Sequence, residues 1–171
     1  MGTVGVRGNH FGSERPSPMF STVAVVVCIA FVECQAGWLQ GARPQQGNMP
    51  CYLVVPGRVP LEQARGFCTL LTGTLGWPNT MDEMLMVNAR ANSLGVRTYW
   101  LGLEKRGGRW VWQNNAPPTF TNWRGREPDG CCGGNVSCAI VGYRRLSGAF
   151  WDDTSCNRLP PGLDGFFCRT N

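Results

Sequence analysis

The sequence predicts a single α+β domain in which two helices precede a set of short strands. Between residues 60 and 94, apolar side chains recur every three or four positions, which is typical of helices that pack on one face. Beyond Arg97, β-prone runs alternate with stretches rich in glycine, proline and asparagine, which is typical of strands joined by loops. The 171 residues, 43% of them hydrophobic, suffice for one ordinary core but not comfortably for two.

In chain order, the first half is predicted to hold one strand and two helices. Residues 35–50 form an irregular lead-in, and residues 52–55 form a strand that is closed by a Pro-Gly pair. The first helix spans 60–71, begins at a proline and directs Cys68 inward. The second helix runs from 81 to about 94 and is capped by Thr80. Its apolar side consists of Met84, Leu85, Val87 and Ala91.

The second half is predicted to consist of strands around one long loop. Residues 114–135 are too polar and too often interrupted by turn residues to belong to the core. A loop of that length usually carries function. The predicted strands are 99–103, 109–113, 137–143, 149–151 and 165–169.

The cysteine content indicates an oxidising compartment. Nine cysteines in so short a chain are typical of a secreted, extracellular protein with a disulfide framework. The apolar run 20–32 is short for a membrane span and is typical of a secretory signal. We therefore predict a signal peptide at 1–30, cleaved after Ala30, and a domain at 31–171. Cleavage after Ala36 is an alternative, although it leaves an odd number of cysteines. A second alternative is that the apolar run is retained as a membrane anchor. No second apolar run of spanning length follows, so no stable membrane span is predicted.

Histidine and charge exclude several functional classes. The single histidine, His10, lies in the predicted signal, so the domain would lack the imidazole on which most hydrolase mechanisms depend. The protein is therefore not predicted to be an enzyme. The formal net charge is +5, and clustered arginines suit sulfate, phosphate or carboxylate, although a solvated basic surface is the simpler interpretation. Nucleic acid is not a predicted partner, because the aromatic residues lie in core-like motifs rather than in stacking platforms.

Six short motifs occur in an order and at spacings that resemble the C-type lectin-like domain. The family has WIGL, WxW, NWxxGEPN and WNDxxC patterns and a closing cysteine. The similarity extends from about Cys34 to Asn171 and implies the fold of that family: two helices, small antiparallel sheets, a long ligand loop and several disulfides. The matching segments are YWLGL at 99–103, WVW at 110–112, NW at 122–123, EPD at 127–129, WDDTSC at 151–156 and FC at 167–168.

The resemblance also implies how most of the cysteines pair. It pairs Cys68 with Cys168 and Cys138 with Cys156. Cys34 and Cys51 resemble the extra N-terminal pair of the long form of the family. The adjacent Cys131 and Cys132 have no place in the common pattern. They form a vicinal disulfide, join another chain or bond elsewhere in the loop, while metal binding is the least favoured alternative.

A calcium site is the cofactor that the resemblance implies. Its metal ligands would be Glu127, Asp129, Asp152 and Asp153, while Val136 stands where the family has a coordinating glutamate. Both family amides are aspartates here, so the four side chains carry a formal charge of −4, against −3 for the family pattern with its additional glutamate. That charge favours Ca²⁺. The alternative is a degenerate site whose acids are merely solvated loop residues.

The predicted ligand-binding residues are Glu127, Asp129, Asn135 and Asp152, of which Asn135 is not part of the family pattern. Ionised aspartates only accept hydrogen bonds, so a sugar hydroxyl would lack the amide donors of the family pattern. Asn135, Asn122 or a nearby arginine would have to supply them. The Glu-Pro-Asp triplet, whose proline the resemblance implies to be cis, does not select between mannose-type and galactose-type sugars. Asn135 also begins a glycosylation sequon, Asn-Val-Ser.

Two functional hypotheses follow. The first is a secreted lectin that binds a glycan or glycoprotein with the assistance of Ca²⁺ through the long loop and the Trp-Asp-Asp strand. The second is a calcium-independent module that recognises an extracellular protein, a matrix or a mineral surface and has a degenerate sugar site.

Overall fold

The computed structural model describes residues 34–41, 49–143 and 148–170. These residues lie in one compact unit, Val32–Asn171. The predicted signal peptide at 1–30 lies outside the described residues. Within the described ranges, neither helix is long and apolar enough to cross a membrane.

The described residues form an α+β fold, as the sequence predicts. The two helices are α1 (Leu61–Leu70) and α2 (Met81–Ser93). The strands are β1 (Leu39–Gln40), β2 (Cys51–Pro56), β3 (Thr74–Leu75), β4 (Tyr99–Arg106), β5 (Arg109–Trp112), β6 (Val136–Val141), β7 (Trp151–Ser155) and β8 (Gly165–Thr170).

Helix α2 begins and packs largely as its sequence pattern requires. The Thr80 hydroxyl accepts a hydrogen bond from the Glu83 backbone N–H at 3.2 Å, which caps the first turn. Three of the four predicted apolar positions, Met84, Val87 and Ala91, are fully buried. The prediction for Leu85 is wrong, because this side chain is 48% exposed. It lies about 100° around the helix from Met84 and so falls outside the buried stripe.

The strands form one connected sheet with the order β1-β2-β8-β4-β6-β7; β3 pairs with β8 and β5 with β4. The antiparallel groups that the resemblance implies are joined by one parallel pair, β4 with β8. The strand predicted at 149–151 is displaced, because β7 begins only at Trp151. Gly148 and Ala149 before it have φ of 105° and 57°, which an extended strand does not tolerate. The sequence missed β1 and β3, which have two residues each and therefore show no periodicity.

The core under the long loop is aromatic and centres on Trp151. This fully buried side chain makes tilted or edge-on contacts with Trp112, Phe120 and Trp123, with ring centroids 5.4–5.7 Å apart. Its indole N–H donates to the Met84 sulfur of α2 at 3.3 Å. The start of β7 is thus held on several sides. The positions of Asp152 and Asp153, which follow Trp151 directly, are fixed with it.

Four disulfides link the eight cysteines from Cys34 onward. Three are the pairs that the resemblance implies: Cys34–Cys51, Cys68–Cys168 and Cys138–Cys156. The fourth joins the adjacent Cys131 and Cys132, so of the alternatives left open above, the structure contains the vicinal disulfide. The Cys138–Cys156 bond ties β6 to the residue after β7, and these two strands frame the end of the long loop.

Candidate functional site

Trp123 is one of the points at which the long loop is attached to β7. Trp123 forms an isolated β-bridge with Trp151. On either side of it, the Trp151 N–H donates to the Asn122 carbonyl at 2.7 Å, and the Arg124 N–H donates to the Trp151 carbonyl at 2.9 Å. Because Asp152 follows Trp151 directly, this attachment brings the loop residues after Trp123 beside the acidic residues of β7.

Three of the predicted metal ligands converge at this junction. Glu127, Asp129 and Asp153 each offer one carboxylate oxygen, and these oxygens lie within 4.8 Å of one another. Glu127 is joined to Pro128 by a cis peptide bond, as the resemblance implies. The sequence separation between Asp129 and Asp153 is bridged by the β6–β7 pairing and the Trp123 attachment rather than by local structure.

Backbone N–H groups of the loop orient all three carboxylates. Asp129 N–H donates to Glu127 Oε2 at 3.2 Å, and Cys131 N–H donates to Asp129 Oδ1 at 2.8 Å. Gly130 N–H donates to Asp153 Oδ2 at 2.9 Å. These bonds fix the direction of the carboxylates without neutralising them, so the cluster remains strongly negative.

The electrostatics of the cluster suit a cation. Burial, and secondarily the neighbouring acids, raise the pKa of both Glu127 and Asp153. Asp153 is 7% exposed, and its Oδ1 atom is buried without a hydrogen-bond partner among the described residues. A hard divalent cation would satisfy that oxygen and relieve the repulsion among the carboxylates. Oxygen donors of this kind are the ligands that Ca²⁺ prefers.

The fourth predicted ligand, Asp152, does not join this group and instead pairs with Arg124. Asp152 Oδ2 accepts a hydrogen bond from Arg124 Nε at 3.0 Å and also contacts Arg124 Nη2. Arg124 Nη2 contacts Glu127 Oε1 at 3.1 Å, so one guanidinium bridges two acids. The hydrogen bond that Arg124 donates to Asp152 raises the pKa of Arg124, which therefore stays charged. The four predicted metal ligands therefore form a cluster of three acids and an adjoining ion pair between Asp152 and Arg124.

A small cavity of about 160 Å³ opens between these groups. Such a volume accommodates a cation and a few polar atoms rather than an entire sugar. A larger cavity of about 690 Å³ lies at the start of α1 and includes none of the four acids. The smaller cavity is lined by Arg124, Glu127, Cys131, Cys132, Tyr143, Asp152, Asp153, Thr154 and Pro161.

Asn135, predicted both as a ligand-binding and as a glycosylated residue, does not line this cavity. It is exposed, and its carbonyl accepts a hydrogen bond from the Cys156 N–H at 3.2 Å. Conversely, sequence reasoning did not place Tyr143 or the vicinal disulfide at the site. The sequence offers a nearby arginine as a hydrogen-bond donor but does not select Arg124 from the clustered arginines. The signal that could have identified it is its position three residues before Glu127, directly after the Asn-Trp motif.

Comparisons with known proteins identify the family and the fold of this chain. The family profile described as "Lectin C-type domain" matches residues 58–163. Perlucin from Haliotis laevigata is 28% identical over 116 residues, covering 66% of this chain and 74% of that protein. The human C-type lectin domain family 17, member A is 32% identical over 127 residues, covering 73% of this chain but only 30% of that protein.

Among solved structures, the chain resembles the C-type carbohydrate-recognition domain of cow CD23, determined in the presence of a GlcNAc2Man3 oligosaccharide. The TM-score is 0.65 at 26% sequence identity, and the match covers 81% of this chain and 95% of that chain.

Proposed function

Because this chain belongs to the family of proteins with a lectin C-type domain, we propose that it is a carbohydrate-binding protein that uses Ca²⁺ at the Glu127–Asp129–Asp153 cluster. The convergence of these three carboxylates, one of which has a buried unpartnered oxygen, is the observation that carries the proposal. We further propose a binding role and no enzymatic activity.

The three acids would hold the cation, and each has a defined part. Asp153 would supply the buried oxygen, Oδ1, while its Oδ2 stays fixed by the Gly130 N–H. Glu127 and Asp129 would supply oxygens from the loop side, each held by a backbone donor. The bound Ca²⁺ would supply open coordination positions for hydroxyl oxygens of a sugar. The neighbouring carboxylates would accept hydrogen bonds from those hydroxyls.

Two measurements test the proposal in sequence. Isothermal calorimetry with CaCl₂ is expected to give one saturable site in the wild type, and Asp153→Ala is expected to abolish it. An array of neutral glycans, run with Ca²⁺ and with EDTA, is expected to show binding that EDTA removes. A wild type that binds no glycan in a calcium-dependent way, with Asp153→Ala leaving every interaction unchanged, would contradict the proposal.

The second candidate is a calcium-independent module for an extracellular protein, a matrix or a mineral surface. Two observations favour it: Arg124 engages Asp152, and Val136 provides no side-chain oxygen at the position of the family glutamate. Under this alternative, partner binding is insensitive to EDTA and to Asp153→Ala. The same array, extended to immobilised extracellular matrix proteins and calcium carbonate particles, distinguishes the two candidates.

We also propose that the protein is secreted and that residues 1–30 are its signal peptide. The four disulfides support passage through an oxidising compartment. The Cys34–Cys51 bond supports cleavage after Ala30, since cleavage after Ala36 would remove Cys34. The exposure of Asn135 is compatible with glycosylation of its sequon. N-terminal sequencing and glycosidase treatment of the secreted protein test both points.

A further inference from the structure

We propose that Arg124 is a ligand-contacting and specificity-determining residue, and that its ion pair with Asp152 substitutes for an amide side chain at the site. This inference rests on the proposed carbohydrate site and identifies the hydrogen-bond donor that the acidic cluster lacks. It also restricts the ligand to a neutral polyhydroxyl compound, such as a sugar with two adjacent free hydroxyls.

The need for a donor follows from the chemistry of the cavity. A hydroxyl group both donates and accepts hydrogen bonds, whereas ionised carboxylates only accept them. The acids that line the cavity are Glu127, Asp152 and Asp153, so a hydroxyl oxygen placed among them would find no donor from those side chains. Arg124 is the cationic donor among the residues that line the cavity.

The contacts of Arg124 leave one edge of its guanidinium available. Nε and Nη2 are held by Asp152 and Glu127, whose side chains are only 9% and 10% exposed. Nη1 has no hydrogen bond to another described residue, and the Arg124 side chain is 38% exposed. The Tyr143 ring lies against the guanidinium, with 5.7 Å between Cζ and the ring centroid. The group is therefore held in one plane, and among the described residues no hydrogen bond occupies its Nη1 donors.

An aspartate and an arginine together supply the hydrogen-bond acceptor and the N–H donors that one asparagine side chain supplies. The Asp152 carboxylate supplies the acceptor and Arg124 the N–H donors, and the pair is neutral overall, as an amide is. The motif comparison makes this substitution concrete, because Asp152 stands where the WNDxxC pattern has asparagine.

The charge of the site selects against acidic ligands. The four carboxylates and Arg124 have a formal charge of −3, and one Ca²⁺ leaves −1. A sulfated or sialylated ligand would meet net repulsion there, although it would be attracted by Arg124 alone. We therefore expect neutral glycans to bind in preference to acidic ones.

The test uses four variants of the complete secreted protein and two readouts. The variants are Arg124→Ala, Arg124→Lys, the double variant Arg124→Ala/Asp152→Asn, and Arg126→Ala as the control on a neighbouring exposed arginine. Calorimetry with CaCl₂ reports the cation site. Binding to neutral glycans ending in mannose, galactose, glucose or N-acetylglucosamine, at saturating Ca²⁺, reports ligand recognition.

Arg124→Ala is expected to bind Ca²⁺ about as tightly as the wild type, or up to about tenfold more tightly, because a competing positive charge is removed. Its glycan affinity is expected to fall by about tenfold or more, since a charged hydrogen bond is lost. Arg124→Lys keeps the charge but loses the planar donor edge, and is expected to lose glycan affinity as well. The double variant introduces an amide and is expected to recover at least part of the lost affinity. Arg126→Ala is expected to behave as the wild type.

Separate results would overturn the inference and the proposed function. If the wild type binds glycan with Ca²⁺ but Arg124→Ala and Arg124→Lys bind it as well as Arg126→Ala does, the inference alone is wrong. If Arg124→Ala loses Ca²⁺ and glycan together and the amide does not rescue it, Arg124 is only structural. If the wild type binds Ca²⁺ but no glycan, the proposed function fails and the inference fails with it. Should Arg124→Ala not fold, Arg124→Lys and the double variant decide the question.

Discussion

Replacing Asp153 with asparagine is expected to stabilise the calcium-free protein while weakening its response to calcium. Asparagine keeps an acceptor oxygen for the Gly130 N–H, which Asp153 binds at 2.9 Å. Its uncharged amide removes the like-charge contacts of residue 153 with Glu127 and with Asp129, and it can donate a hydrogen bond to either carboxylate. The same substitution removes the charge and one oxygen ligand that a cation would use. The two effects therefore have opposite signs.

The size of the first effect follows from the separation of the acids. Their ligand oxygens lie within 4.8 Å of one another. At that distance two unit charges repel by about 0.9 kcal/mol at the dielectric constant of water and by about 3.5 kcal/mol at an effective value of 20. Asp129 is exposed, so the lower figure applies. Two such contacts are relieved, and the calcium-free variant should gain about 1–2 kcal/mol of unfolding free energy.

The second effect is visible as a smaller stabilisation by calcium. Loss of about 2 kcal/mol of cation binding weakens Kd roughly thirtyfold. At a Ca²⁺ concentration of about 100 times the wild-type Kd, the wild type should gain about 2.7 kcal/mol and the variant about 0.9 kcal/mol.

Urea unfolding of wild type and variant, in EDTA and in excess CaCl₂, measures both effects. Asp164→Asn is the matched control, because Asp164 also accepts a backbone hydrogen bond, from Arg97 N–H at 2.9 Å, but is not part of the acidic cluster. Asp164→Asn should show the same increase in unfolding free energy on addition of CaCl₂ as the wild type. If Asp153→Asn is less stable than the wild type in EDTA, or keeps the wild-type calcium gain, Asp153 is not the centre of a repulsive cation site.

Three further predictions follow from the same structure. In EDTA, the difference in unfolding free energy between Asp153→Asn and the wild type should grow as the pH rises from about 4 to 7. Asp153 and Glu127 have raised pKa values, so they contribute stability to the wild type at low pH that is lost when they ionise. Urea unfolding at each pH measures this difference. Replacing Cys131 and Cys132 together with serine should weaken Ca²⁺ binding by about three- to tenfold, because the loop backbone that orients the acids is then less constrained; calorimetry measures it. Gly102→Ala should cost about 3 kcal/mol in urea unfolding, because its methyl group would lie 2.4 Å from a backbone carbonyl oxygen of β3.

Each of these predictions has a result that would contradict it. A stability difference independent of pH would mean that the acids are fully solvated. Unchanged calorimetry for the double serine variant would show that the vicinal bond does not support the cation site. For the glycine, the control is Gly66→Ala in α1, where a methyl group meets nothing within 4 Å. That variant should be about 1 kcal/mol more stable, opposite in sign to Gly102→Ala.

Local patterns predicted most of the secondary structure. Helix α2 begins after Thr80 because a cap and a periodic apolar stripe are both properties of neighbouring residues. The prediction for Leu85 is wrong because its apolar type does not outweigh its position, about 100° around the helix from Met84 and outside that stripe. The two-residue strands β1 and β3 were missed because they exist only through pairing with β2 and β8, which no local pattern reports.

The amino-acid order was enough to identify the family motifs, the helix-then-strand arrangement and the set of acids from which a cation site could be built. The tertiary structure determines which of those acids lie together. Glu127 and Asp129 cluster with Asp153, whereas Asp152 forms an ion pair with Arg124, although Asp152 and Asp153 are adjacent in the chain. Neighbouring residues of a strand point to opposite faces, so their partners depend on which loop lies against each face. That arrangement depends on the contact of Trp123 with Trp151 and on the β6–β7 pairing, which join segments distant in sequence.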